Sequence, residues 1–309
     1  MKRKAIYRLI KRIPLVVLIF LFMPCHAQYQ EKNEVSIFAG GGFSSSSYSL
    51  KNVPESKFTP GYGGVAGLGY TFFFNNTIGI GTGAEIAMYN SKVKIDQFSD
   101  KYTTSDGDEN FEFRYTVNGY TEKQRLFAVQ IPLFVQFQFP LLSDDHLTYL
   151  TLGGRVGFPP FSAEYRSSSN SYVTSGYYPQ YDVLLETPAS QGFGTFLNRT
   201  YKEDLKFDHP LYMLSAELGM KWLIADHFSL YTGIYFDYSL NDIYQNKEYG
   251  SFLNYSASEP TAFSNLSILQ SRYYENNNYG SFTGKIRSYA LGIKVRLSFR
   301  IPDKRSCCF

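Results

Sequence analysis

The stretch LFAVQIPLFVQFQFPLL, residues 126–142, constrains this chain more than any other part of it. Phe127, Val129, Ile131, Leu133, Val135, Phe137 and Phe139 occupy every second position, and Gln124, Gln130, Gln136 and Gln138 fall on the alternate ones. Alternation of period two is the pattern of a strand with one apolar and one polar face. A soluble sheet satisfies it with the apolar face on a core. A membrane barrel satisfies it inside out, with the apolar face on lipid and the glutamines in the lumen. Pro132 interrupts the run, and a proline removes a ladder donor, so a bulge or local break is expected there.

The start of the chain narrows the choice. MKRKAIYRLIKR carries six cations and no acid; an apolar run over 13–23 and small residues around Ala27 follow. That is the order of a secretory signal peptide, with cleavage expected between Ala27 and Gln28. The run is shorter than the ~20 apolar residues of a spanning helix. Cys25 follows Phe22-Met23-Pro24 rather than the small residues of a lipid-attachment site. Without residues 1–27 the chain keeps 24 Lys and Arg against 27 acids, about −3, which gives no support for a nucleic-acid partner. Cys307 and Cys308, adjacent near the end, offer no disulfide framework and no metal pattern.

Alternating segments recur near 34–43, 62–74, 77–89, 124–139, 147–158, 211–223, 227–239 and 286–300. Each meets the roughly 9–11 residues that a tilted membrane strand requires. Their connections alternate in length. Those after the second, fourth and sixth segments are short, while those after the first, third, fifth and seventh run to about 18, 34, 52 and 46 residues. Short turns at one end and long loops at the other describe an outer-membrane barrel with short periplasmic turns, and a soluble sandwich has no reason to sort its loops so. Phe72, Phe74, Phe137, Phe139, Trp222, Phe228 and Phe299 fall on the apolar face beside the short turns, as a periplasmic aromatic girdle would.

The expected fold is therefore all-β: an eight-stranded antiparallel up-and-down transmembrane β-barrel with long extracellular loops. Residues 1–27 form the signal peptide, 28–300 the barrel and 301–309 a periplasmic C-terminal tail. The blocks QIPLFVQFQF, LTLGGRVGFP, SAELGMKWLIADHFSLYTGIYFDY and YALGIKVRLSF resemble the OmpA-type and PorT-type eight-stranded outer-membrane barrels of Bacteroidota. The resemblance implies a place in the outer membrane, and its PorT side implies an accessory role in secretion or envelope assembly. It names no activity.

Parity assigns the residues facing the lumen: Glu85, Arg155, Glu217, Lys221, Asp237, Lys294 and Arg296. Three acids and four bases nearly cancel, and the interior of an eight-stranded barrel is just wide enough for side chains to fill. A self-neutralising plug is expected rather than an ion path. Counting residues from the short turns pairs Arg155 with Glu217.

A catalytic site is not expected. Asp208, His209 and Ser215 have the residue types of a hydrolytic triad, but Ser215 lies six residues deeper, ~20 Å along a strand. His146 and His227 sit in or beside short turns. In SDGDEN, Asp106, Asp108 and Glu109 suit either a calcium loop or a solvated turn, and the remaining EF-hand positions are missing. No cofactor or metal is expected. The loop over 159–209 holds ten aromatics, a composition suited to a recognition surface or to loops packing on one another. The partners expected are the outer-membrane lipid bilayer and an unidentified extracellular ligand or envelope protein. The function expected is non-enzymatic, structural or surface-interacting. An accessory barrel of a secretion or envelope-assembly machine is the alternative, and a barrel-embedded lipid-modifying enzyme a distant third.

Overall fold

Eight strands form the wall: β1 (Asn33–Ser47), β2 (Tyr62–Phe73), β3 (Ile78–Ser105), β4 (Asn110–Ser143), β5 (His146–Phe158), β6 (Leu211–Ala225), β7 (Phe228–Ser239) and β8 (Arg287–Ile301). The structure, a computed structural model, describes residues 32–301 apart from 52, 54–55, 144–145, 159–162, 206, 208, 245–249 and 276–277. The leader and the Cys307-Cys308 tail lie outside the described residues. Each wall strand pairs antiparallel with its neighbour in the chain, and β1 pairs with β8, so the sheet closes into a ring. Closure leaves the wall without an edge.

The ring is inside out relative to a soluble barrel. Ile37, Leu68, Ile86, Leu133, Leu218, Ile234 and Ile293, one from each of seven strands, all face outward and are more than half exposed. Gln130, Gln136 and Gln138 of β4 are buried inside. A water-facing band of this extent would be far beyond the apolar patches of soluble monomers. Among the described residues no helix is long and apolar enough to cross a membrane, which says nothing of strands.

Local chemistry closes the short turns. Between β2 and β3, Asn75 Oδ1 accepts the N–H groups of Thr77 (2.9 Å) and Ile78 (2.7 Å), the side-chain turn that asparagine favours. At Pro132 the ladder to β3 breaks without a change of register. Thr82 pairs with Leu133 and Glu85 with Gln130, and the positions between are unpaired. Thr82 Oγ1 donates to the Pro132 carbonyl at 2.8 Å and bridges the gap.

The other end departs from the expected long loops. The 34-residue loop expected after the third strand is instead a continuation of β3 and β4, which pair up to a tight turn at 106–109. The signal was present: Ser91, Val93 and Ile95 still alternate inward, but the lysines between them disguised a strand as a polar loop. The loop over 159–209 likewise adds strands. Ala163–Tyr178 pairs with β4, and Gly194–Leu205 and Val183–Leu185 pair with Ala163–Tyr178. Ser56–Pro60 joins the other side, on β3.

The facing of this external sheet slips by one residue at a single level. Gly119 in β4 (φ +63°) and Asn198 (φ +52°) adopt left-handed backbone there. A Cβ at Gly119 would collide with the Asn170 side chain. The described residues between β7 and β8 pack on the inner face through Phe252, Leu253, Phe263, Ile268, Leu269 and Phe282, against Phe98, Phe111, Phe113 and Tyr120 of the sheet. This aromatic core sits over the mouth of the ring.

Candidate functional site

All seven lumenal residues named from parity are buried inside the ring, but they pair differently from the expectation. Arg155 binds Glu85 (Nε–Oε1 2.8 Å) and Asp237. Glu217 takes Lys294 (3.0 Å) and Arg296 (3.3 Å), and Tyr149 donates to it at 2.7 Å. Lys221 binds Glu34 at 2.6 Å. The expected Arg155–Glu217 pair is thus corrected. β6 overhangs β5 at the short-turn end, with Trp222 opposite His146, so Glu217 stands level with Thr151 and Arg155 level with Met213. Counting from the two strand ends ignored that overhang.

Glu34 is the residue that parity could have supplied and did not. It shares the inward face of β1 with Ser36 and Phe38. Tyr231 (2.6 Å) and Ser298 (3.0 Å) donate to its second oxygen, and Arg300 approaches at 3.6 Å from the rim. With Glu34 counted, four acids face four bases in the buried lumen: Glu34, Glu85, Glu217 and Asp237 against Arg155, Lys221, Lys294 and Arg296. Aromatic rings fill the space between. Arg296 lies 4.2 Å over Tyr231, and Lys294 5.0 Å over Tyr235. Gly233 lets Tyr149 reach Glu217, since a side chain there would occupy the Tyr149 hydroxyl position. A cavity among these charged groups, lined by Thr82, Glu85, Arg155 and Glu217, holds about 30 Å³. That is room for about one water.

Over the mouth, Glu122 of β4 is fully buried and ties the sheet to the packed segment. Gln124 Nε2 (2.6 Å), Ser267 Oγ (2.6 Å) and the Ile268 N–H (2.9 Å) donate to its carboxyl group, as does the Tyr120 hydroxyl. Burial pushes its pKa up, and the hydrogen bonds only partly oppose this. Tyr48 reaches the same cluster by donating to Gln124 at 3.0 Å.

The remaining named residues take less chemical positions. Asp106 Oδ1 accepts the N–H groups of Asp108 (3.0 Å) and Glu109 (2.8 Å), and Tyr178 donates to its other oxygen. The Glu109 N–H, first among these donors, holds the Asp106 carboxyl below the usual range. Glu109 accepts from Tyr181 (2.6 Å) and Gln180 (2.9 Å). These carboxylates serve a turn. His146 meets Trp222 edge to face, with ring centroids 4.6 Å apart. His209 precedes β6, Ser215 lies within it, and Asp208 lies outside the described residues. Phe72, Phe74, Phe137, Phe139, Trp222, Phe228 and Phe299 all stand outside the lumen at the short-turn end, with Phe228 and Phe299 4.9 Å apart.

A closed ring, apolar outside and charged inside, defines an all-β outer-membrane barrel. The chain belongs to the outer membrane protein beta-barrel domain family, which matches residues 26–245, and its place is the bacterial outer membrane. No curated protein matches. Among solved structures, the outer membrane protein OprG from Pseudomonas aeruginosa is 13% identical, covering 88% of this chain and 98% of its own, at a TM-score of 0.36. Neisserial surface protein A is 11% identical, covering 88% and 98%, at 0.33. Ail, the attachment invasion locus protein of Yersinia pestis, solved with the heparin analogue sucrose octasulfate, is 12% identical, covering 86% and 99%, at 0.28. Likeness at this level carries no argument about the role of this chain.

Proposed function

We propose that the protein is a closed, non-enzymatic barrel of the OmpA/PorT-like kind, eight-stranded, up-and-down and membrane-spanning, that anchors an external surface for interaction. Residues 1–27 are its cleaved leader, the short turns and residues 301–309 lie in the periplasm, and the extended sheet stands outside the cell. The observation that carries this reading is the lumen: four acids paired with four bases, aromatic filling, and a cavity of about 30 Å³ under an aromatic cap. Such an interior fills rather than conducts. The asymmetry of the two ends supports the orientation, since every added strand and the packed segment lie at one end.

One feature favours the second reading, an accessory barrel of a secretion or envelope-assembly machine. Among the described residues Gly194–Leu205 is paired on one side alone, which leaves a strand edge for a partner chain. Reconstitution into planar bilayers tests the main reading: the full chain should give no steady open-state conductance, and a sustained ion current would contradict a plugged lumen. Mild detergent extraction separates the two roles, since a lone barrel accords with display and a stable co-extracted complex with the machine.

A further inference from the structure

Four cations stand side by side on the outer face of the external sheet. Lys92 of β3 is directly opposite Lys123 of β4, Lys123 is opposite Arg166, and Arg166 is opposite Lys202. In the next row out, Lys57 opposes Lys94. In the next row in, Arg125 lies between Asn90 and Glu164, with Asp204 beyond Glu164, and its Nε donates to Asn90 Oδ1 at 3.3 Å. The inward faces of these strands are buried in the core, and Lys57, Lys94, Lys123, Arg125, Arg166 and Lys202 are exposed.

Like charges directly opposite each other on neighbouring strands are destabilising. Here three successive pairs in one row are of that kind, with strands roughly 5 Å apart. Carboxylates relieve one end only: Glu164 binds Arg166 (2.6 Å) and Lys202 (3.0 Å). Among the described residues no carboxylate pairs with Lys57, Lys92, Lys94 or Lys123. An anion spanning the row would relieve this repulsion.

Position identifies the anion. The next outward-facing pair inward from Asn90 and Arg125 is Met88 and Phe127, followed by Ile86 and Val129 of the apolar band. On β3 and β4 the belt, through Lys92, Lys123 and Arg125, is therefore the direct continuation, on the same strands and the same face, of the surface that meets lipid chains, and Arg166 and Lys202 extend it sideways on the added strands. A lipid lying along Ile86 and Val129 reaches Arg125 and Lys123 with its headgroup without leaving the wall. We propose that this belt binds the phosphate groups of lipid headgroups in the outer leaflet. Each ammonium offers three donors, and neighbouring cations are close enough to share one phosphate. The proposal rests on the orientation given under Proposed function.

The test uses the full chain folded in zwitterionic micelles, with retention of phosphatidic acid measured at increasing mole fraction. The comparison is Lys92→Gln/Lys123→Gln/Arg166→Gln, and the control probes are phosphatidylcholine, inorganic phosphate and a soluble sulfated polysaccharide. Half-saturation should require on the order of 100-fold more phosphatidic acid in the triple variant, at roughly fivefold per cation. In zwitterionic micelles alone the variant should unfold at the same or a higher temperature, because the opposed charges are gone; a purely structural row would show the reverse. Unchanged retention overturns the proposal, as does equal competition by the soluble phosphate or polysaccharide, which would mark a free-anion or glycan surface. Heat-modifiable gel migration, recorded alongside, separates this from failure of the membrane reading: a folded barrel that does not retain the lipid rejects the headgroup site alone.

Discussion

Lys221 lies fully buried in the lumen, 2.6 Å from Glu34, with Gln138 Oε1 at 3.3 Å completing its shell. Removing one member of such a pair strands the other, a loss of roughly 3–5 kcal/mol. Lys221→Met and Glu34→Gln should each lower the urea midpoint of the micelle-folded barrel. The double variant should lose less than the two single losses added, and strict additivity would contradict the pairing. The Arg155 and Glu217 losses, by contrast, should couple more weakly than those of Lys221 and Glu34, since no direct contact joins those two side chains. Which charges face inward was legible in the sequence, because period-two parity fixes facing once a strand is anchored at both ends. Glu34, at the start of β1, is anchored from one side only. Pairing was not legible, because it depends on the stagger between strands, which three residues of overhang past Trp222 were enough to shift.

In β4, Leu133 is 61% exposed on the outer face while Gln136 is wholly buried. An Arg on a lipid face near the midplane costs about 2–4 kcal/mol, so Leu133→Arg should impair folding into bilayers far more than Gln136→Ala. The opposite ranking would mean that the strand is turned over. Where β4 leaves the membrane, Glu122 makes the docking of 266–270 depend on pH. Burial raises its folded pKa above the unfolded value, so between the two the folded state holds the extra proton. Stability from this group is therefore greatest at low pH and is lost as pH rises through the folded pKa. The opening equilibrium read by hydrogen exchange at Ile268, after correction for intrinsic exchange, should shift toward the open form as pH rises above the ordinary carboxylate range, and Glu122→Gln should flatten the change. The strand extension itself was hidden from sequence reasoning, since Lys92 and Lys94 look like loop residues until the buried Val93 and Ile95 are set beside them.

At the scale of the whole molecule, a sealed lumen, an apolar outer band and a one-sided sheet make an outer-membrane barrel whose cap, in the proposed orientation, lies outside the cell. The alternation of short and long connections carried the ring order and the distinction between its ends. It could not show that the long connections fold, because their packing depends on contacts such as Phe98 with Phe252 and Phe282, which lie far apart in the chain. The central claim is tested most directly by cysteine labelling on intact cells, in a background where Cys307 and Cys308 are replaced by serine. The reagent is a maleimide too large for outer-membrane pores. Ser168→Cys, on the exposed face of the external sheet, should label on intact cells; Asp226→Cys, in the short turn between β6 and β7, should label only after the outer membrane is opened; Leu133→Cys should stay protected until detergent is added. Labelling of Asp226→Cys on intact cells, with Ser168→Cys protected, would contradict the orientation, and labelling of Leu133→Cys without detergent would contradict the membrane barrel itself.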